Sequence, residues 1–252
     1  MKQSALGMRL LRLVANKGLR IFSMRNLREL GGYSRGLPEV LHYLAKEGWI
    51  VRLKRGTYAF SPESGFGTPP HEFEIAMHLV HPSAISHWTA MHYHHLTQQT
   101  PHTIFALTPT SSSIPRSLLK RHFCYIKIKK ALFFGFQTIW INEAKVEITD
   151  PERTLLDGLM SPQYCGDFQE VFHAFEVHLN QLNLALLIQY ALKMGAAAVK
   201  RLGWILDRLG VDQQTLAPLL QFPIKGYRKL DAVGPSKGSY AKKWRIHENL
   251  SL

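Results

Sequence analysis

The sequence predicts an α+β protein: an N-terminal winged helix-turn-helix, then a mixed α/β domain whose second half is helical. Three observations carry this. Residues 22–60 place two helical stretches and two short strands around a basic turn. Residues 103–148 hold four strand-like runs, and from Asp150 onward apolar residues recur at helical spacing. A chain of 252 residues also has room to bury both a small module and a larger domain.

Each element follows from local pattern. Leu6, Leu10, Leu13 and Val14 share one face of a first helix that closes near Gly18. Met24, Leu27 and Leu30 supply the inner side of a second, which Ser23 can cap and Gly31-Gly32 ends. In the third, Leu37, Val40, Leu41 and Leu44 fall at i, i+3, i+4, i+7 and make one buried stripe. The opposite face carries Arg35, Glu39, His42 and Lys46. Ser34 is placed to cap this helix, and Pro38 lies in its first turn, where a missing N–H costs least. Ile50 to Leu53, the turn Lys54-Arg55-Gly56, and Tyr58 to Phe60 form the wing.

The Gly, Pro and Ser of residues 61–70 mark a linker, giving a DNA-binding domain over 1–60 and a second domain over 71–252. That second domain divides into an α/β part (71–149), a helical part (150–222) and a basic tail (223–252). Residues 71–96 suggest two helices with Pro82 at the start of the second. Strands follow at Thr103–Leu107, His122–Lys129, Phe136–Ile141 and Lys145–Ile148, the second alternating apolar with polar residues. Phe168, Val171, Phe172, Phe175 and Leu179 mark one later helix, and Val199, Leu202, Leu206 and Leu209 another. The tail is expected to wrap the surface.

Charge narrows the partner. The formal net charge of +13 is concentrated at the start: residues 1–60 hold twelve Lys/Arg against three Glu. Residues 225–245 add seven basic residues against Asp231 alone. A basic head and tail around a near-neutral middle point to a polyanion. Two cysteines, Cys124 and Cys165, have neither pairing motif nor metal-ligand spacing, as in a reducing compartment. The first twenty residues are interrupted by Arg9, Arg12 and Lys17, unlike a signal peptide. No apolar run approaches the roughly 20 residues a membrane helix needs. A soluble, cytoplasmic bacterial protein is expected, without membrane contact.

Double-stranded DNA is the expected ligand of the winged helix. The third helix would enter the major groove, with Tyr33, Ser34 and Arg35 nearest base edges and Glu39, His42 and Lys46 along its outer face. Arg52, Lys54 and Arg55 of the wing would reach backbone or minor groove, and Arg25 and Arg28 of the second helix would meet phosphates.

Other chemistries find less support. Eight histidines crowd residues 71–102, yet residues 75–142 contain no Asp or Glu to complete or orient a metal site. The same gap denies Glu143-Ala-Lys145 the second carboxylate of a nuclease centre. There is no Gly-rich phosphate loop, nucleophile elbow or Cys–His pair, so no catalytic residue, cofactor or metal is assigned. Asp150-Pro151 fits a helix cap, and Arg153 with Asp157 an i,i+4 pair on the helix surface. Tyr227, Tyr240 and Trp244 among the basic residues of the tail suit either stacking on single-stranded nucleic acid or inward packing.

The chain resembles the AbiEi family of antitoxins from bacterial abortive-infection loci, over nearly its whole length. The resemblance rests on Gly48-Trp49-Ile50 with Arg55-Gly56-Thr57-Tyr58, His81-Pro82-Ser83-Ala84-Ile85-Ser86-His87-Trp88-Thr89-Ala90 and Leu96-Thr97-Gln98-Gln99. It continues through Ile148-Thr149-Asp150-Pro151-Glu152-Arg153, Lys200-Arg201-Leu202-Gly203, Leu230-Asp231 and Trp244-Arg245. It implies an antitoxin that binds inverted repeats in its own promoter, represses its operon and opposes a nucleotidyltransferase-type toxin. Such antitoxins need not bind the toxin directly. A winged-helix regulator without a toxin is the alternative.

Overall fold

The computed structural model describes residues 2–31, 36–111 and 117–250. Its first part comprises α1 (Lys2–Asn16), β1 (Ile21–Ser23), α2 (Met24–Gly31), α3 (Leu37–Lys46), β2 (Ile50–Lys54) and β3 (Thr57–Phe60). The strands form an antiparallel sheet in the order β1-β3-β2. Three residues are too few for alternation to reveal β1, which the sequence pattern did not predict. The first helix buries Leu10, Leu11 and Val14, so Leu11 rather than Leu13 belongs to its inner stripe. It approaches α3 closely at Gly7, where a Cβ would sit 2.9 Å from Leu44.

Alternate residues of the three-stranded sheet serve two cores. Phe22, Ile50, Tyr58 and Phe60 pack beneath α1, α2 and α3. Leu53 and Ala59, flanked by Ile21 and Val51, instead join a core with Phe73, Ala76 and Ile148. The wing is therefore covered on its second face by the rest of the chain. Residues 61–70 are also held down: Phe66 lies 6.4 Å from the Trp49 ring and 6.1 Å from that of Phe60.

Next come α4 (Glu72–Leu79), β4 (Ala84–Ile85) and α5 (His87–Tyr93). Pro82 does not open a helix as predicted; it precedes a strand whose two residues are completely buried. The strands β5 (Thr103–Thr108), β6 (Ser117–Leu118), β7 (Arg121–Lys127), β8 (Phe136–Ile141) and β9 (Ala144–Thr149) follow, giving the sheet order β6-β7-β5-β4-β9-β8. The β8–β9 hairpin turns at Asn142 and Glu143, both with positive φ (46° and 67°), the geometry of a two-residue type I′ turn. Glu143 thus sits in a turn, not on a strand.

The helical half contains α6 (Pro151–Met160), α7 (Phe168–His178), α8 (Leu184–Met194), α9 (Ala196–Arg208) and α10 (Gln213–Gln221). They bury one apolar core that includes Leu155, Phe175, Leu202 and Trp244. The tail does not simply wrap the surface. It forms β10 (Arg228–Lys229), β11 (Ser239–Ala241) and β12 (Ile246–Glu248), ordered β10-β12-β11 and docked on α9. Trp244, 1% exposed, lies on Gly203, where an added Cβ would come within 2.2 Å of the indole. Buried Lys200 donates to the carbonyls of Lys225 and Gly226, and Arg201 to that of Lys229 at 3.1 Å. The conspicuous Lys200-Arg201-Leu202-Gly203 run is thus a clamp for the tail.

Candidate nucleic-acid interface

The geometry of the interface begins with the ends of its helices. Ser23 and Asn26 cap α2 reciprocally: the Asn26 N–H donates to Ser23 Oγ (3.2 Å) and the Ser23 N–H to Asn26 Oδ1 (2.9 Å). The Met24 N–H donates to the Gly56 carbonyl at 3.0 Å, fastening the tip of the wing to this helix. The α3 N-cap position is occupied by Gly36 (φ 75°) rather than by the predicted Ser34. Tyr33, Ser34 and Arg35 themselves lie outside the described residues. At its other end α3 closes with Gly48 at φ 76°, and the Trp49 and Gly48 N–H groups donate to the Leu44 and Ala45 carbonyls. That double bond is a Schellman closure, which needs a left-handed residue at Gly48 and sets the direction of β2.

These elements leave Glu39, His42, Lys46, Arg52 and Arg55 exposed, together with Arg25 and Arg28 on α2. A groove between α3 and the wing is lined by His42, Ala45, Arg52, Arg55 and Tyr58. Arg25 pairs with Glu29 at 2.9 Å, but both are solvated, so the pair contributes only about 0.3–0.5 kcal/mol. Lys54 is exposed as well, and differs from its neighbours only in its hydrogen bonds. Its Nζ donates to the His78 and Leu79 carbonyls, the second at 3.3 Å, where it closes the C-terminus of α4. Arg20, which no motif distinguished, donates to Glu74 Oε2 at 3.1 Å and to the Asn142 carbonyl.

The two other motifs form a buried polar cluster far along the chain. Asp150 Oδ1 accepts from the Arg153 N–H (2.7 Å), and Oδ2 from the Tyr190 hydroxyl (2.9 Å). Arg153 and Asp157 do pair, at 2.9 Å, but they are buried rather than on the helix surface as predicted (side chains 1% and 5% exposed). The Arg153 guanidinium also holds the loop before β8, donating to the Leu132 and Phe134 carbonyls at 2.8 and 3.1 Å. Asp157 Oδ2 is buried without a hydrogen-bond partner among the described residues. Burial, only partly offset by Arg153, raises the Asp157 carboxyl to about 6. His87 is buried beside it, with φ 50° and Nδ1 2.9 Å from Ser86 Oγ. Burial first, and Arg153 second, lower its imidazole to about 3.

Several other histidines make local structural bonds. His71 Nδ1 accepts from the Phe73 N–H as the α4 cap, His78 Nδ1 lies 2.9 Å from the Glu74 carbonyl, and His94 Nε2 lies 2.7 Å from that of Thr149. In the tail, Trp244 packs inward, while Tyr240 stacks on His247 (4.6 Å) and remains exposed with Tyr227. Among the described residues no helix is long and apolar enough to cross a membrane.

Comparison with known proteins bears on the N-terminal part. A family model described as transcriptional regulator, AbiEi antitoxin, matches residues 8–61, which span α1 to the end of the wing. The match is confined to those residues, short of the whole-chain resemblance expected from the sequence. The crystal structure of RV2827C protein from Mycobacterium tuberculosis is similar over 95% of this chain and 90% of that one, with a TM-score of 0.69 and 15% identity. At that identity the likeness concerns the fold. No curated protein matches the chain.

Proposed function

We propose that this protein is a DNA-binding antitoxin and autorepressor. Its winged helix would bind inverted repeats of double-stranded DNA in its own promoter, acting in the cytoplasm on the nucleoid. The remainder would oppose a nucleotidyltransferase-type toxin encoded beside it, with or without direct contact. One observation carries the reading: the regulator family matches residues 8–61, and there α3 and the wing expose cations along a shared groove. In this reading Glu39, His42 and Lys46 face the major groove, with Tyr33, Ser34 and Arg35 leading. Arg52 and Arg55 grip backbone, and Arg25 and Arg28 meet flanking phosphates. Lys54 is left to the α4 carbonyls. A single winged helix has a small footprint, so two protomers would occupy paired half-sites.

A regulator without a toxin is the second reading, because the family match stops at residue 61. The test uses the full chain in two assays. Gel-shift titration with the DNA upstream of its gene should show saturable, salt-sensitive binding that competitor DNA does not abolish. Co-expression with the neighbouring gene should restore growth. Repression without rescue favours the plain regulator, and no binding even at low salt rejects both readings.

A further inference from the structure

A pocket of about 280 Å³ lies between β7, the loop that follows it, α6 and α8, well separated in sequence from the winged helix. Its walls are apolar: Ile126, Ile128, Leu132, Met160 and Met194. Three polar side chains reach it from the buried cluster, His87, Arg153 and Asp157. Lys127 and Lys129 line it too, and both are exposed.

Three features distinguish this from a packing defect. Asp157 is 4% exposed and spends one oxygen on Arg153, yet Oδ2 has no partner among the described residues. A buried acceptor left unmatched forfeits its hydration with nothing in return unless something meets it. His87 is 2% exposed and its backbone is held at φ 50°, while among the described residues its side chain bonds to Ser86 alone. Arg153, finally, is fixed on four sides: by Asp157, by the Leu132 and Phe134 carbonyls, and by the Phe134 ring 4.6 Å away. The wall of the pocket is thus prebuilt, as ligand sites are.

The chemistry defines the occupant. The walls require an apolar body, and Asp157 requires an N–H or O–H donor. The lysines favour a negative charge at the rim: among the described residues the hydrogen-bond partner of Lys127 is the neutral Ser111 hydroxyl. We propose that this pocket binds a small organic anion with an apolar body and a hydrogen-bond donor, met by Asp157 within and by Lys127 and Lys129 at the rim. The site is independent of the DNA-binding reading, and its test does not involve DNA.

Isothermal titration calorimetry of the full chain with three shape-matched probes tests this. Indole-3-acetate supplies body, N–H and charge; naphthalene-1-acetate lacks the N–H; 3-methylindole lacks the charge. Indole-3-acetate should bind at least tenfold tighter than either relative. The double substitution Lys127→Ala and Lys129→Ala, both on the surface, should erase its advantage over 3-methylindole. Asp157→Leu, which has no acceptor, should erase its advantage over naphthalene-1-acetate. Because that variant can fail to fold, Met194→Trp provides a second check: it fills the pocket and should abolish binding of all three probes. No binding of any probe at millimolar concentration overturns the proposal, as does equal affinity for all three or indifference to the lysine substitutions.

Discussion

Arg20 and Glu74 form an ion pair at 3.1 Å, with side chains only 13% and 11% exposed, between the residue preceding β1 and the first helix after the wing. The pair helps to fix the winged helix to the body of the protein, beside the shared sheet and the Lys54 bonds. Arg20→Ala should lower stability by about 2 kcal/mol, below the 3–5 of a completely buried pair because some water reaches this one. Urea denaturation measures it, and a loss within 0.5 kcal/mol would show the pair to be incidental.

The wing cations should separate into two kinds. Arg52→Ala and Arg55→Ala should each weaken DNA binding and reduce the logarithmic salt slope by about 0.9 for each phosphate no longer neutralised. Lys54→Ala should leave that slope unchanged and cost about 1 kcal/mol of stability, because it serves the end of α4. Titration of one promoter fragment at several salt concentrations decides between them. A Lys54→Ala slope that falls as far as that of Arg55→Ala would return Lys54 to the interface.

Two buried titrations should oppose each other with pH. His87 is lowered to about 3 in the folded protein, so its contribution is fully present above about 6.5 and is lost as pH falls toward 3. Asp157 is raised to about 6, so its contribution is present below about 4 and is lost as pH rises through 6. Between pH 4 and 6 the two slopes, each up to about 1.4 kcal/mol per unit, largely cancel. The stability advantage of the wild type over His87→Asn should therefore shrink on acidification from pH 6 to 4. Its advantage over Asp157→Asn should grow. Denaturation curves across that range test both signs, and parallel curves for all three proteins would contradict them.

Gly203 is a packing residue rather than a hinge. Gly203→Ala would drive a methyl into the Trp244 indole, 2.2 Å from its nearest ring atom, and should cost about 1–3 kcal/mol. Trp244 would leave its bond to Asp207 Oδ2 (3.0 Å), and β10 to β12 should become open to protease. An intact tail under limited proteolysis of this variant would mean that Lys200 and Arg201 hold it alone.

Legibility in the sequence depended on range. The stripe of Leu37, Val40, Leu41 and Leu44, the wing, and the extents of β5, β8 and β9 were legible because each is encoded in neighbouring residues. The exposed faces of α3 and the wing also followed from periodicity. What stayed hidden is set by distant partners. Arg153 and Asp157 have the spacing of a surface pair, and only the loop at Leu132–Phe134 shows that they are enclosed. Lys54 is indistinguishable from Arg55 in sequence until α4 is placed against it. Trp244 could have stacked on nucleic acid or packed inward, and the absence of a side chain at Gly203 decided it.

The second face of the β1-β3-β2 sheet has a practical consequence for genetics. A fragment ending near residue 70 would leave Val51, Leu53 and Ala59 wet on a naked strand surface, inviting self-association. Deletion mapping would then report solubility instead of activity. Single side-chain changes in the intact polypeptide are the sound way to apportion its tasks.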